Sequence, residues 1–395
     1  MNITSDIKYI GVNDHTTDLF EGLYRIPEGI SYNSYMIVDE QIAVMDSVDA
    51  GFTEEWLCNM ENELNGQHPD YLIVQHMEPD HSANIVNFIR RYPAAKIVAS
   101  EKAFTIMENF FHTDFKDNQM VVADGDELSL GRHRLVFYAA PMVHWPEVLV
   151  TFDTTDKVLF SADTFGRFGA LDENAGEYVD NDIEDWKDEA RRYYIGIVGK
   201  YGVFVQKLLA KLANLGIQKI CPLHGPVLTE NLNHYINLYS IWSAYQPEEE
   251  GVLIAYASIY GNTKQAALLL EEKLKENGCP KVVLRDLARC DMSEAVAEDF
   301  RYSKLVLAST TYNTQIFPPM REFISWLKER NFANRTIGFM ENGSWMPIVA
   351  RLMKDEFERG KGLTFAENTV RILSALNEES EAQIEALAKE LWREV

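Results

Sequence analysis

Apolar positions along the chain follow two different rhythms. Up to about residue 245 they come in short runs separated by tight turns, interleaved with stretches of helical period. Residues 32–38 and 42–45 read as a strand pair, and 71–75, 96–99, 135–138, 148–152 and 158–160 as further strands. Helical spacing recurs near residues 53–65, 82–92, 101–111, 188–213 and 230–244. The acidic stretch 172–188 reads as an exposed loop or lid. From residue 252 the runs become wholly apolar and alternate with helices: strands at 252–257, 281–284, 304–308 and 336–340, a helix over 263–277 and a last one near 379–393. Near-continuous apolar strands separated by helices predict a parallel sheet covered on both faces, a doubly wound α/β domain.

The break between the two rhythms is the run Gln246-Pro247-Glu248-Glu249-Glu250-Gly251. It sets the expected domains at 1–246 and 251–395. A chain of 395 residues, 46% apolar and 25% charged, suits two ordinary globular domains. No uncharged apolar run reaches the roughly 18 residues of a membrane span, and Met-Asn-Ile-Thr-Ser-Asp lacks the basic and apolar regions of a signal peptide. The expectation is a cytoplasmic protein. With 37 basic against 61 acidic residues, a net of −24, the surface repels nucleic acid and anionic lipid. Cys58, Cys221, Cys279 and Cys290 form no C-x-x-C pair, which excludes a disulfide framework and a rubredoxin-type iron site within this chain.

Chemistry concentrates first in His76-Met-Glu78-Pro-Asp80-His81, just after an apolar strand. Two imidazoles and two carboxylates within six residues mark a metal site. His144, Asp163 and His224 follow in short loops, also after apolar strands. His76, Glu78 and His144 on one side, and Asp80, His81 and His224 on the other, make two groups of two histidines and one carboxylate. Asp163 remains as a bridge. That composition suits a pair of non-haem irons.

The H-x-E-x-D-H loop with these later ligands resembles the metallo-β-lactamase fold in its diiron form, an αββα sandwich. Hydrolases of that fold carry histidine where this chain has Glu78, and an oxygen donor there adds negative charge and favours iron over zinc. The resemblance implies that His76, Glu78 and His144 hold one iron, that Asp80, His81 and His224 hold the other, and that Asp163 bridges. It also places Tyr193 near the diiron pocket, as a candidate catalytic residue.

A second motif is Ser258-Ile259-Tyr260-Gly261-Asn262-Thr263, between an apolar strand and a helix. Backbone N–H groups at a helix N-terminus with flanking hydroxyls make an anion nest for a single phosphate. Neither a Walker motif nor a Rossmann fingerprint occurs. The loop is similar to that of flavodoxins, which implies FMN at the carboxyl ends of parallel strands. Thr310-Thr311-Tyr312-Asn313 and Asn342-Gly343-Ser344-Trp345 occupy the loops where a flavodoxin contacts its isoalloxazine.

Taken whole, the chain resembles a flavodiiron protein of the two-domain kind. The resemblance implies an oxidoreductase that reduces O2 to water, NO to N2O, or both, with FMN relaying electrons from a rubredoxin or flavoreductase. It further implies a head-to-tail homodimer or a dimer of such dimers. Two readings stand beside it: a dinuclear zinc hydrolase with a flavodoxin module, and an electron-transfer protein whose metal is structural.

Overall fold

The computed structural model describes residues 1–171, 179–180 and 183–392. The chain divides into two compact units, Met1–Ser240 and Ile241–Val395. The division falls inside the helix Leu232–Ser243, ahead of the acidic run. Glu249 and Glu250 open the strand Glu249–Tyr256 instead of forming a linker, because Arg301 pairs with Glu249 at 2.6 Å.

The first unit has two facing sheets. One runs in the order Ile7–Tyr9, Tyr35–Ile37, Ala43–Met45, Tyr71–Ile73, Lys96–Ala99, Gln119–Val121. The other runs Glu127–Ser129, Arg134–Ala139, Leu149–Asp153, Val158–Phe160, Lys219–Cys221, Val227–Leu228, Val179–Asp180. Side chains of a strand alternate between faces. Tyr35, Ile37, Ala43, Met45, Ile73 and Val98 of the first sheet therefore share one core with Leu135, Phe137, Leu149, Val158 and Phe160 of the second. One residue out of phase, Met36, Val44, Leu72 and Ile97 are buried on the opposite face. Helices Thr53–Leu64 and Ile85–Arg91 bury Trp56, Met60 and Phe88, and the Trp56 ring meets Phe88 at 6.3 Å.

Two expectations change. The long helical pattern over 188–213 is broken into a helix Ile183–Tyr193, a π turn Tyr194–Val198, a short 3-10 turn and a helix Gly202–Leu212. Gly196, Gly199 and Gly202 lie at the breaks, where glycine tolerates the change of winding. Of the acidic stretch, 172–178 and 181–182 lie outside the described residues, whereas Val179–Asp180 is a strand beside Val227–Leu228 and Ile183 already begins a helix.

The second unit is a parallel sheet ordered Val282–Asp286, Glu249–Tyr256, Tyr302–Tyr312, Thr336–Asn342, Thr364–Ile372, with Gln315–Ile316 folded back on the third. The edge strand Thr364–Ile372 carries no apolar run. It is mostly exposed and its pairing slips by a bulge, so hydrophobic pattern alone does not reveal it. Ile254, Val306, Met340 and Val370 pack against Ala266, Leu270, Ile384 and Leu387 of the helices Asn262–Glu276 and Glu378–Leu391.

Candidate functional site

In the first unit the strand ends converge on one point. His76, Asp163 and His224 each stand three residues beyond a strand, after Ile73, Phe160 and Cys221 respectively. Val158–Phe160 and Lys219–Cys221 are parallel neighbours with Phe160 opposite Cys221, so Asp163 and His224 leave the sheet together. His144 comes from the loop between Arg134–Ala139 and Leu149–Asp153. Glu78 caps the short helix Pro79–Ser82, which carries Asp80 and His81. Beside two ligands the backbone is left-handed without glycine, at Met142 (φ 64°) and Ala162 (φ 48°). Such conformations cost about 1–3 kcal/mol each and collect at functional sites.

The side chains gather into His76, Glu78, His144 and Asp163 in one group and Asp80, His81 and His224 in another. Asp163 faces both. Its Oδ2 lies 3.2 Å from Nε2 of His76 and 3.2 Å from Nε2 of His144. Its Oδ1 lies 3.4 Å from Nε2 of His81 and 3.7 Å from that of His224. Glu78 Oε2 is 3.0 Å from His144 Nε2 and 3.4 Å from His76 Nε2; Asp80 Oδ2 is 3.3 Å from both His81 and His224.

Two observations show that these residues fit a pair of metal ions. The Nε2 atoms face each other in pairs, His76 with His144 at 3.2 Å and His81 with His224 at 3.1 Å, and neutral imidazoles offering lone pairs to one another gain nothing without a cation between them. The buried oxygens of Asp80 and Asp163 take no hydrogen bond among the described residues, which is costly unless a charge compensates them. Without a metal, protons answer instead. Burial acts to raise Asp163, yet His76, His144 and His81 hold it well below the usual carboxylate range. Burial acts to lower His76, yet Asp163, Glu147 and Glu78 push it well above an ordinary histidine.

Tyr193 is buried with its ring 5.5 Å from that of His224 and 5.2 Å from Phe168. Its hydroxyl has no hydrogen-bond partner among the described residues. Phe20 lies edge-on to His224 at 5.3 Å. Several participants carry no sequence signal. Glu147 faces Nδ1 of His76 at 2.9 Å. Asp46 accepts from the backbone and side chain of Gln75 at 2.7 and 2.9 Å, anchoring the loop before His76, and burial raises it to about 6. A further cluster, His133 with Asp153 and Asp156, is satisfied internally: the His133 ring meets Asp153 at 3.0 Å and Asp6 at 3.3 Å.

The second unit holds a cleft of ≈ 420 Å³ at the carboxyl ends of its strands. Ser258, Ile259 and Tyr260 line it from the first loop and Asn262 and Thr263 from the helix that follows. Thr310, Thr311 and Tyr312 line it from the end of the strand Tyr302–Tyr312, which runs further than the sequence reading had it, with Asn313 beyond. Asn342 lines it from the end of Thr336–Asn342, with Gly343, Ser344 and Trp345 beyond. Thr314, Met346 and Ser374 line it too and are additions to the sequence reading. Gly261 is not among the lining residues; at φ 95° it opens the helix Asn262–Glu276 with no side-chain cap, leaving the first helical N–H groups for an anion. Gly261 N–H donates to Ser258 Oγ at 3.1 Å, and Asn342 Nδ2 donates to Thr263 Oγ1 at 3.3 Å. Tyr260 and Trp345 are 93% and 90% exposed, bare aromatic faces beside a phosphate-sized nest. These residues fit FMN.

Comparisons with known proteins agree with this geometry. Residues 30–225 match the family model described as ODP family beta lactamase. The rubredoxin-oxygen oxidoreductase of Megalodesulfovibrio gigas is 27% identical over 389 residues, covering 97% of this chain and 95% of that protein. The anaerobic nitric oxide reductase flavorubredoxin of Escherichia coli O1:K1 is 28% identical over 354 residues, covering 87% and 72%. Among solved structures, rubredoxin oxygen:oxidoreductase from Desulfovibrio gigas superposes with a TM-score of 0.92 at 26% identity, over 99% of this chain and 97% of that one. The flavodiiron protein from Giardia intestinalis gives 0.89 over 98% and 96% at 24% identity, a likeness of fold. With a beta-lactamase-like unit followed by a flavodoxin-like unit, the chain has the two-unit architecture of the solved flavodiiron proteins.

Proposed function

We propose that the protein is an oxidoreductase that reduces O2 to water, NO to N2O, or both, at a diiron centre supplied with electrons through FMN. The observation that carries this reading is Asp163, with one carboxylate oxygen turned to each three-ligand group. His76, Glu78 and His144 would hold one iron, Asp80, His81 and His224 the other. When bound, two ferrous ions and reduced FMN supply four electrons between them, the number that turns O2 into two waters; two suffice to turn a pair of NO molecules into N2O and water.

The protein's own residues set the conditions. Glu78, Asp80 and Asp163 bring three negative charges to the centre, suiting iron and its ferric state over zinc. Phe20 and Tyr193 set their rings against His224, with Phe168 packed on Tyr193. The Tyr193 hydroxyl, without another partner among the described residues, is suited to donate a hydrogen bond to an oxygen atom of bound substrate. In the flavin cleft, the N–H groups opening Asn262–Glu276, with Ser258 and Thr263, would hold the phosphate. Tyr312 and Trp345 would flank the ring, and Asn313 and Asn342 would bond its polar edge.

The electron donor is a rubredoxin or a flavoreductase, the former in keeping with the name of the Megalodesulfovibrio relative. No described helix is long and apolar enough to cross a membrane, and the reading places the protein in the cytoplasm. We take the working form to be a head-to-tail homodimer, or a dimer of such dimers, in which electrons cross between chains, and residues 251–395 to be a separately folding flavin domain. Mixing a chain emptied of iron (Asp163→Asn with His144→Ala) and a flavin-less chain then restores about a quarter of wild-type activity by two-fold counting. Transfer within each chain leaves the mixture inactive.

The deciding experiment is anaerobic purification with metal and flavin analysis, then steady-state turnover with O2 and with NO under one saturating donor. Two irons and one FMN per chain with turnover are expected. Two zincs with hydrolase activity and no gas reduction would overturn the reading.

A further inference from the structure

A metal-binding imidazole has a second nitrogen, and the partner of that nitrogen fixes the ring's tautomer, orientation and basicity. Three histidines of the site differ in this respect. Nδ1 of His76 meets Oε1 of Glu147 at 2.9 Å. Nδ1 of His224 donates to the backbone carbonyl of Ser31 at 2.7 Å. Nδ1 of His81 has no partner among the described residues.

Glu147 is committed to this contact. The side chains of His76 and Glu147 are both 0% exposed. The same Oε1 accepts the backbone N–H of Met77 at 2.9 Å, while Oε2 takes no partner among the described residues. The hydroxyl of Ser100 holds the Glu147 carbonyl at 2.9 Å, so the loop carrying the carboxylate is pinned. A carboxylate buried with so few donors persists where a positively charged centre lies behind its imidazole.

We propose that Glu147 is a positioning residue that makes the His76, Glu78, His144 side the tighter of the two metal positions, so that the pair fills and empties in a fixed order. The inference rests on the diiron reading and deepens it. Both sides have two histidines and one carboxylate of their own, and Asp163 turns one oxygen to each, at 3.2 Å from His76 and His144 and at 3.4 and 3.7 Å from His81 and His224. The ligand types therefore do not separate the two sides, and the outer partners do. Donation of Nδ1–H to a carboxylate enriches the Nε2 lone pair of His76 more than a neutral carbonyl enriches that of His224. The His81 ring has no such partner behind it, its Nδ1 being unpaired among the described residues.

The test is anaerobic competition of the Fe2+-loaded holoprotein against a chelator, reading metal per chain, for wild type, Glu147→Gln and Glu147→Ala. Far-UV circular dichroism and a wild-type-like melting transition of the first unit report that each variant is folded. Wild type should empty in two steps. Glu147→Ala should weaken the tighter step by about 10–100-fold, the usual effect of losing an outer-shell partner. Glu147→Gln, whose amide oxygen still accepts from Nδ1–H, should fall between. Should Glu147→Ala not fold, the Gln variant and wild type carry the test. In a His144→Ala background, which spares only the Asp80 side, Glu147→Ala should shift the remaining affinity by less than about twofold. One-step emptying unchanged by either variant, or a Glu147 effect confined to the Asp80 side, overturns the proposal. Wild type that binds no metal pair overturns the diiron reading itself.

Discussion

Replacing Asn33 by alanine should loosen the loop that presents His224, by an amount the structure allows one to work out. Asn33 is fully buried. Its Nδ2 donates to the carbonyls of Pro222 and Gly225 at 2.8 and 2.7 Å, one on each side of His224, and its Oδ1 accepts from Tyr9 Oη at 3.0 Å. The carbonyl of Pro222 keeps another donor, Tyr35 Oη at 2.7 Å, so its loss is an ordinary hydrogen bond of about 1 kcal/mol. That of Gly225 loses the side-chain donor that served it, nearer 2 kcal/mol. With the Tyr9 bond lost as well, about 1 kcal/mol more, Asn33→Ala should destabilise this unit by about 4 kcal/mol, or roughly 8–16 °C in its melting temperature. Asn33→Asp is the sharper probe. It conserves shape but sets a carboxylate against two carbonyl oxygens, so at pH 8 it should cost more than alanine. Calorimetry on metal-free protein avoids stabilisation by bound metal. A loss under about 1 kcal/mol for alanine, or an aspartate variant as stable as wild type, refutes the reasoning.

Three further expectations are as concrete. Burial opposes the charge on His133, but Asp153 and Asp6 raise it above an ordinary histidine. Its stabilisation is thus complete below the unfolded value, near pH 6.5, and is lost as pH rises through the higher folded value; the stability gap between wild type and His133→Ala should narrow from pH 6 to 9, and a constant or widening gap counts against it. Trp345→Ala should weaken FMN binding by about tenfold through loss of one stacking face, read by flavin fluorescence on apoprotein, with a change under twofold rejecting the role. Leucine at both Asn262 and Thr263 should abolish flavin binding and leave the iron content unchanged; loss of iron as well would mean that the two units do not fold independently.

The sequence made the chemistry more legible than the geometry that supports it. His76 through His81 announce themselves because four metal-binding side chains crowd six residues, and His144, Asp163 and His224 because each follows an apolar strand. Glu147 and Asp46 gave no such sign. A carboxylate that holds a ligand from behind is named only by its partner across a fold, here 71 residues away for Glu147 and His76. The broken helix at Tyr194–Val198 was hidden for a related reason, since the apolar period continues through the π turn while only the winding changes. The edge strand Thr364–Ile372 escaped because one exposed side of a parallel sheet needs no apolar run. The cleft-lining residues at the ends of Tyr302–Tyr312 and Thr336–Asn342 were readable because those strands are apolar in their middles and end abruptly in polar residues.

The spacing of the ligands along the chain also sets a timetable for synthesis. The cluster His76 to His81 leaves the ribosome early. The groups that complete the centre arrive at 144, 163 and finally 224. Because His76 hangs from one sheet while Asp163 and His224 hang from the other, the finished site needs the two sheets already facing. A nascent chain thus passes through a long interval in which its first four candidate residues are present and the centre is incomplete. The pairing of Lys219–Cys221 with Val158–Phe160 is the step that sets Asp163 and His224 side by side. Metal supplied only after residue 224 has emerged should give more correctly loaded protein than metal present throughout translation.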